Sequence, residues 1–147
     1  MFSSNVGVVG PVEIELRRAD GTVEVTEAVN TFVNGGLNWL AELAADDTFS
    51  EPITELAVGE GDTAVDPEDT TLANELDRNS IDSSSVQDDH DARFVATFGE
   101  GEAVGAIVEA GLFTSDNRMV SRLTFDVRNK GTVDEIIFRW RLKMRRA

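Results

Sequence analysis

The only histidine of the chain lies in a run of acidic residues, Asp88-Asp89-His90-Asp91. Carboxylate oxygens and an imidazole nitrogen both bind divalent cations, so Asp88, Asp89, His90 and Asp91 are candidate metal ligands. The run has neither the spacing nor the invariant glycine of an EF-hand loop. A solvated acidic loop explains the same residues, and the sequence favours that interpretation.

Other catalytic chemistry finds little support in the residues. A nucleophilic triad needs a base, and His90 is the one candidate. Gly99-Glu100-Gly101 is not followed by the lysine and helix of a phosphate-binding loop. Segment 60–69 offers oxygen ligands for calcium, but helix capping and turn formation explain most of its acids. Among 28 acidic residues some pair always suits a glycosidase, so such a pair predicts nothing. We expect no catalytic residue and no cofactor.

The charge is distributed unevenly along the chain. Residues 42–116 hold 20 acidic and two basic residues, whereas residues 117–147 hold three acidic and nine basic residues. The C-terminal cations alternate with large apolar residues, which predicts a strand with one apolar and one cationic face. The apolar set is Phe138, Trp140, Leu142 and Met144, and the cationic set is Arg139, Arg141, Lys143 and Arg145.

A cationic strand face has two interpretations. It could bind nucleic acid, or it could pair with the acidic middle of the chain, either within one molecule or across a subunit boundary. The net charge of −15 opposes binding to a phosphate backbone and favours pairing. We therefore expect Arg139, Arg141, Lys143 and Arg145 to form an oligomer interface, with a second copy of the chain as partner and no nucleic acid.

The kind of charge suggests a salt-rich environment. Eleven of the 13 basic residues are arginine and two are lysine. A surface this acidic repels itself in dilute buffer, and molar salt removes that penalty by shortening the Debye length to about 3 Å. Scarce lysine fits as well, because its aliphatic stem adds apolar surface. The sequence favours a haloarchaeal source over an ordinary acidic protein.

Length and composition bound the class of protein. A chain of 147 residues without cysteine suits a single domain, here residues 1–147, without disulfides or thiolate metal sites. No apolar run approaches the roughly 20 residues of a membrane span. Met1–Gly7 has neither a basic region nor a long hydrophobic core, so we expect no signal peptide.

Hydrophobic periodicity indicates mainly strands. Alternation over 12–17 and 22–26 around Asp20-Gly21 predicts a β-hairpin, and further strands are expected at 53–58, 93–98, 104–109, 119–125 and 133–144. Helical spacing predicts one α-helix over about 34–45, and Asp66-Pro67 predicts a short helical turn over about 67–76. The polar segment 79–91 is expected to be an exposed loop. The pattern favours a mainly β fold, an antiparallel β-sandwich or jelly roll with one packed helix.

Two short runs carry a resemblance to a known group of proteins. Residues 55–64 (ELAVGEGDTA) and 67–78 (PEDTTLANELDR) resemble a pattern found in small structural proteins of tailed viruses, as do 107–113 and 122–125. Asn30–Gly36 also fits, so the resemblance spans roughly residues 28–142. The motif residues are Gly59, Gly61, Pro67, Asp69, Leu72, Glu75, Arg78, Glu109, Gly111 and Phe113.

The resemblance implies a non-enzymatic virion component of a haloarchaeal virus. Such proteins decorate capsids as surface or turret subunits, or form tail, baseplate and fibre parts, as symmetric oligomers. It implies assembly as a trimer, pentamer or hexamer with other virion proteins as partners, contact with a host cell surface, and no membrane. From the residues alone, the motif is a conformational staple rather than a ligand site. A carbohydrate-binding module is the alternative class, although the chain has no tyrosine for an aromatic platform.

Overall fold

The computed structural model describes residues 6–146, which form eleven strands and one helix. Met1–Asn5, on which part of the signal-peptide expectation rests, and Ala147 lie outside the described residues. The elements are β1 (Val6–Val9), β2 (Pro11–Arg17), β3 (Val23–Val29), β4 (Thr31–Phe32), α1 (Asn34–Ala45), β5 (Ile53–Gly59), β6 (Glu75–Ser80), β7 (Ser83–Gln87), β8 (Asp91–Phe98), β9 (Gly105–Thr114), β10 (Met119–Lys130) and β11 (Glu135–Arg146). The helix has 12 residues, and within residues 6–146 no helix is long and apolar enough to cross a membrane.

Two antiparallel sheets make a β-sandwich, as the sequence predicts. Sheet A has the spatial order β3-β2-β11-β8-β7, and β1 pairs with the C-terminal end of β11. Sheet B has the order β4-β10-β9-β5-β6. Strand β11 is central in sheet A because it pairs with β2 on one side and β8 on the other. Its cationic face is therefore bordered by residues from both neighbours.

The core lies between the sheets and follows the predicted alternation. Ile14 on β2, Phe98 on β8 and Trp140 on β11 all belong to one buried cluster with the inward side chains of sheet B. The outer face of sheet B carries a second, smaller cluster, which segment 60–74 covers. The members of this second cluster are Val33, Ala57, Leu72, Phe113 and Met119.

A buried asparagine joins the two sheets at one end. The Asn30 side-chain amide donates to the carbonyls of Gly10 (2.7 Å) and Arg141 (3.1 Å) in sheet A. Its oxygen accepts a hydrogen bond from the Ser121 hydroxyl in sheet B at 2.7 Å. Because an unpaired buried amide would be costly, these contacts hold the two sheets in one relative position.

Helix α1 begins directly on sheet B. A Cβ atom on Gly36 would lie 2.4 Å from the Val120 carbonyl oxygen, and one on Gly35 would lie 2.6 Å from that of Met119. Only glycine permits this approach, which explains the Gly-Gly pair in the first turn. One turn later, Trp39 enters the main core and its indole nitrogen donates to the Glu51 carbonyl at 2.7 Å.

Two expectations about local structure are wrong. Residues 67–74 form turns and bends rather than a helical turn, and 75–80 form β6. Leu72 and Leu76 consequently contact different clusters. Segment 79–91 is not a loop, because it contains the end of β6 and all of β7. These strands were missed because edge strands with polar residues on both faces lack hydrophobic alternation.

Candidate functional site

The predicted cationic face of β11 lies on the outer side of sheet A. Arg139 donates from Nη1 to Glu13 at 2.8 Å and to Glu15 at 3.3 Å, both on the neighbouring strand β2. Arg17, followed by Arg139, holds the pKa of the Glu15 carboxyl below its usual value. Arg139 therefore pairs within the chain, but with the N-terminal hairpin rather than with the acidic middle of the sequence.

Arg141 pairs with the acidic middle of the chain within one molecule, which is one of the two kinds of pairing that the sequence left open. Its guanidinium donates to Asp91 Oδ2 at 2.6 Å, and Arg93 donates to the same oxygen at 3.2 Å. These two partners, Arg141 first, hold the pKa of the Asp91 carboxyl below its usual value. Asp91 is 3% exposed, and its Oδ1 atom is buried without a partner among the described residues. The stability of this buried carboxylate therefore depends on two guanidinium groups.

The end of β11 carries cations that the described part of the chain does not neutralise. Lys143, Arg145 and Arg146, here called the basic tip, form no ion pair within residues 6–146. They border a cavity of about 670 Å³ together with Met144 and the β7–β8 turn. Of the four cations predicted to form an interface, Arg139 and Arg141 thus pair within the chain, whereas Lys143 and Arg145 have no ion-pair partner in the part of the chain that the structure describes.

The candidate metal ligands form the β7–β8 turn. Asp88 and Asp89 have φ of 49° and 64°, the left-handed conformation that a tight hairpin turn requires. The His90 backbone N–H donates to the Asp88 carbonyl at 2.8 Å, and Asp91 is engaged by two arginines. Within residues 6–146 no three His, Asp or Glu side chains are grouped to hold a metal ion. The geometry assigns these residues to the turn and to the ion pairs of sheet A.

One motif residue, Glu109, is a buried carboxylate, 0% exposed, on the outer face of sheet B. Its Oε1 atom accepts hydrogen bonds from the Ala73 N–H at 2.8 Å and from two guanidinium nitrogens of Arg122 at 3.0 and 3.3 Å. Its Oε2 atom accepts the N–H groups of Gly61 and Asn74, both at 2.8 Å. Five hydrogen-bond donors bind this carboxylate, and these bonds attach segment 60–74 to sheet B.

Arg122 on the neighbouring strand β10 holds the same segment. Glu109 and Arg122, with the groups of segment 60–74 that they bind, are called the clamp. Arg122 is 1% exposed and donates to the Asp69 carboxylate at 2.9 Å and to the Thr63 carbonyl at 2.9 Å, in addition to Glu109. One guanidinium thus joins β10, β9 and two points of segment 60–74. A buried cation with this many partners is costly to leave unpaired, so the segment is held in one conformation.

The two motif glycines make the close approach possible. A Cβ on Gly59 would lie 2.4 Å from the Asn74 carbonyl oxygen, and a Cβ on Gly61 would lie 2.4 Å from the Ala73 Cβ. Both distances are below any normal contact. The backbone can therefore pass this close to Glu109 and to residues 73–74 only if both positions are glycine.

Asp69 and Pro67 connect the clamp to helix α1. The Asp69 carboxylate accepts the Asp66 N–H at 2.9 Å as well as the Arg122 guanidinium. The Pro67 carbonyl accepts the Asn34 N–H at 2.7 Å. The first turn of α1 has no side-chain cap, and this carbonyl satisfies one of its free N–H groups instead.

The remaining motif residues pack beneath or beside segment 60–74. Leu72 lies over Gly111, where a Cβ would approach it to 3.3 Å, and both neighbour the buried Phe113. The Arg78 guanidinium lies 3.9 Å from the centre of the Phe113 ring and pairs with Glu75 at 2.8 Å. The Glu75–Arg78 pair lies on strand β6.

Arg122 and Asn30 are the residues whose importance the sequence analysis missed. Both lay inside the segments of the resemblance, but neither was singled out. A signal was present: Glu109 in IVEAGLF and Arg122 in MVSRLTF are single charges inside apolar strands. Because a buried charge must be paired, two such strands predict a pair with each other.

Comparison with known proteins adds no further constraint. No protein-family model, no curated protein and no solved structure matches the chain.

Proposed function

We propose that the chain is a non-enzymatic structural subunit of a tailed virus particle of a salt-loving host. The position we propose first is that of a capsid surface decoration or turret subunit. The alternative is a tail, baseplate or fibre subunit of the same kind of virus. The observation that carries the proposal is the clamp. The motif residues Gly61 and Asp69 bind Glu109 and Arg122, and together with the N–H groups of Ala73 and Asn74 they fasten a surface segment to the sandwich.

A rigid surface suits a protein whose task is assembly. Segment 60–74 has no helix or strand of its own, yet a buried ion pair and several backbone hydrogen bonds fix its course. Fixing a surface before association lowers the entropic cost of forming an interface. The clamp therefore supports a role in binding other subunits.

The basic tip supports self-association. A molecule with a net charge of −15 repels its copies, yet one end of β11 carries three cations that form no ion pair within residues 6–146. Such a tip attracts an acidic surface, and every copy of this chain is acidic elsewhere. Molar salt screens the overall repulsion and leaves direct contacts in place. We therefore expect a homo-oligomer of three, five or six subunits in concentrated salt.

Light scattering behind size exclusion tests this proposal. In 3 M KCl the wild type should elute as a discrete oligomer of 16.0 kDa subunits, and it should dissociate or unfold in dilute buffer. The charge reversals K143E and R145E together should yield a folded monomer. Reversing Arg139 or Arg141 is unsuitable because each pairs within the chain. A wild type that is monomeric in both buffers would refute the proposal.

A further inference from the structure

Strand β7 (Ser83–Gln87) forms one end of sheet A, and no strand of residues 6–146 pairs with its outer side. All five of its residues are exposed, and Val86 is 74% exposed, more than any other large hydrophobic side chain of the described chain. The pairing of β7 with β8 is regular, because it runs from Ser83 to Gln87 without a register shift. The outer side of β7 therefore presents a row of backbone N–H and C=O groups to which another strand can pair.

The other ends of the two sheets carry features that oppose strand addition. Charged side chains, bulges, short strands and covering segments are the features that natural proteins use for this purpose. At the end of sheet A opposite β7, strand β3 has a charged residue, Glu24, on its core-facing side, opposite Leu16. In sheet B, β6 contains Glu75, Asp77 and Arg78, and its pairing with β5 is interrupted by a register shift.

The remaining edges are short, interrupted or covered. Strand β4, at the other end of sheet B, has two residues, and the pairing of its neighbour β10 with β9 contains register shifts. Strand β1 lies against β4. Among the edges formed by residues 6–146, β7 is thus the one without a protective feature.

The β7 edge also lacks the charge that makes two copies of this chain repel each other. None of residues 83–87 is charged, in a chain of which 28% of residues are charged and whose net charge is −15. Like-charged molecules approach most easily where neither contributes charge to the contact. Backbone N–H and C=O groups are neutral, so concentrated salt, which screens ion pairs, leaves hydrogen bonds between them in place. These properties favour a second copy of this chain as the partner.

We propose that β7 pairs with β7 of a second copy, antiparallel and across a two-fold axis, so that sheet A continues from one molecule into the other. This inference rests on the proposed function, because it adds a second interface to the same homo-oligomer. Full overlap of the two strands, with Ser85 opposite itself, would place Asp82 opposite Asp88. Like charges directly opposite each other destabilise a strand pair. An axis at Ser84 places Asp82 opposite Val86 instead and removes this repulsion.

The two-fold contact determines the number of subunits. The basic tip binds an acidic surface elsewhere on the next copy in the proposed oligomer, and repeating such a head-to-tail contact closes a ring. Contacts between β7 edges join two such rings, so the number of subunits is even. Of three, five and six subunits only six is even, which gives two rings of three. A pair of five-residue strands buries far less than the roughly 800 Å² per partner of a stable complex, so it forms only in an assembly that the tip contacts also hold.

Cross-linking through an introduced cysteine tests the two-fold axis. The chain has no cysteine, so S84C adds a single thiol to each subunit. Opposite residues of an antiparallel pair have Cβ atoms about 4.5–5.5 Å apart, close to the separation that a disulfide bridges. Oxidation of assembled S84C with diamide in 3 M KCl should therefore convert most of the protein into a dimer of 16.0 kDa chains on a non-reducing gel.

Two matched controls place the thiol at other exposed serines. In S83C the two thiols lie diagonally across the axis, with Cβ atoms about 7–8 Å apart, and in S50C they lie outside β7. Both separations exceed what a disulfide spans, so both controls should give about tenfold less cross-linked dimer than S84C. If S84C gives no more dimer than S50C, the strand pairing does not exist.

Proline at the same position tests the assembly. S84P removes a backbone N–H and its ring blocks an added strand, whereas S84T keeps the N–H and suits a strand. Sedimentation velocity in 3 M KCl should show six subunits for the wild type and for S84T, and three for S84P. Edge strands tolerate proline, and far-UV circular dichroism checks that S84P is folded. If S84P does not fold, the cross-linking result decides the proposal.

The outcomes separate this inference from the proposed function. Six subunits in the wild type, three in S84P and a cross-linked S84C dimer support the strand pairing. A wild type of three or five subunits overturns it, keeps the homo-oligomer and leaves the β7 edge to a strand of a different protein. An S84P protein that is folded and keeps six subunits overturns the strand pairing as well. A monomeric wild type in 3 M KCl overturns the proposed function together with the inference.

Discussion

Replacing Glu109 by glutamine tests the buried clamp, which is the strongest structural feature of the motif. Glutamine keeps the size of the side chain but removes its charge and replaces one carboxylate oxygen by an NH2 group. If the remaining oxygen faces Arg122, the N–H groups of Gly61 and Asn74 lose their acceptor. Two unsatisfied buried donors cost about 1–3 kcal/mol each, and Arg122 keeps only the partially exposed Asp69 as a charged partner.

The expected loss of unfolding free energy for E109Q is about 3–5 kcal/mol, as for other broken buried ion pairs. For a domain of this size that lowers Tm by about 10–15 °C. Urea unfolding in 3 M KCl measures the change through the fluorescence of Trp39 and Trp140, which are 8% and 0% exposed. Hydrogen exchange should show that the amides of Gly61, Ala73 and Asn74 lose protection first.

Two comparisons make the E109Q result decisive. The control E100Q changes an exposed glutamate and should stay within about 0.5 kcal/mol of the wild type. A double-mutant cycle with R122M should give a coupling energy of about 1–3 kcal/mol, since both variants break the same contact. An E109Q protein within 1 kcal/mol of the wild type, or additive effects in the cycle, would refute the clamp.

Further predictions concern the glycines, the ion pairs of sheet A and the ring contact of Arg78. G61A should lower the free energy of unfolding by about 2–3 kcal/mol because its Cβ would lie 2.4 Å from the Ala73 Cβ, whereas G99A, whose nearest contact would be 3.6 Å, should be close to neutral. D91N should cost about 2 kcal/mol at pH 7 through its charged hydrogen bonds. The pKa of Asp91 in the folded state lies below the unfolded value of about 3.9. Its contribution to stability is therefore lost as the pH falls from 5 through the folded pKa. The stabilities of the wild type and D91N should converge in acid, whereas the control D89N should keep the stability of the wild type at every pH. R78M should cost about 1–2 kcal/mol by removing the cation over Phe113 and the pair with Glu75; an unchanged urea midpoint would contradict that contact.

Amphipathic elements could be predicted from the sequence because an element with one buried face has apolar residues at regular spacing. The β2–β3 hairpin, helix α1 and strand β11 occur where alternation or helical spacing places them. Strands β6 and β7 have no such spacing. Residues Ser83–Gln87 of β7 are all exposed, and no residue of β6 is fully buried. The short strand β4 has two residues, too few for any period.

Asp66-Pro67 predicts the start of a helical turn, but the structure has a non-helical turn there. The Asp66 carboxylate accepts the Glu68 N–H at 2.8 Å, which closes a local turn. The Pro67 carbonyl then serves the first turn of α1 instead of opening a new helix. The same residues satisfy backbone groups in either structure, so local chemistry could not distinguish them.

The candidate site was only partly predictable for the same reason. The alternation around Arg139 and Arg141 predicted a cationic face, but the choice of partner depends on which strand lies beside β11, and only sheet order decides that. The motif residues 59–78 and 109–113 were expected to act as a staple. Glu109 lies beside Gly59 because β9 pairs with β5, and it reaches Arg122 because β9 pairs with β10, which sheet order alone decides.

Closed assembly in concentrated salt is the central claim, and sedimentation velocity over a concentration series in 3 M KCl tests it most directly. We expect one boundary, at the mass of three, five or six 16.0 kDa subunits, that keeps this mass as the concentration rises. A ring that is complete accepts no further copy, so its mass stays constant. A boundary at 16.0 kDa throughout, or a mass that grows continuously with concentration, would contradict the account.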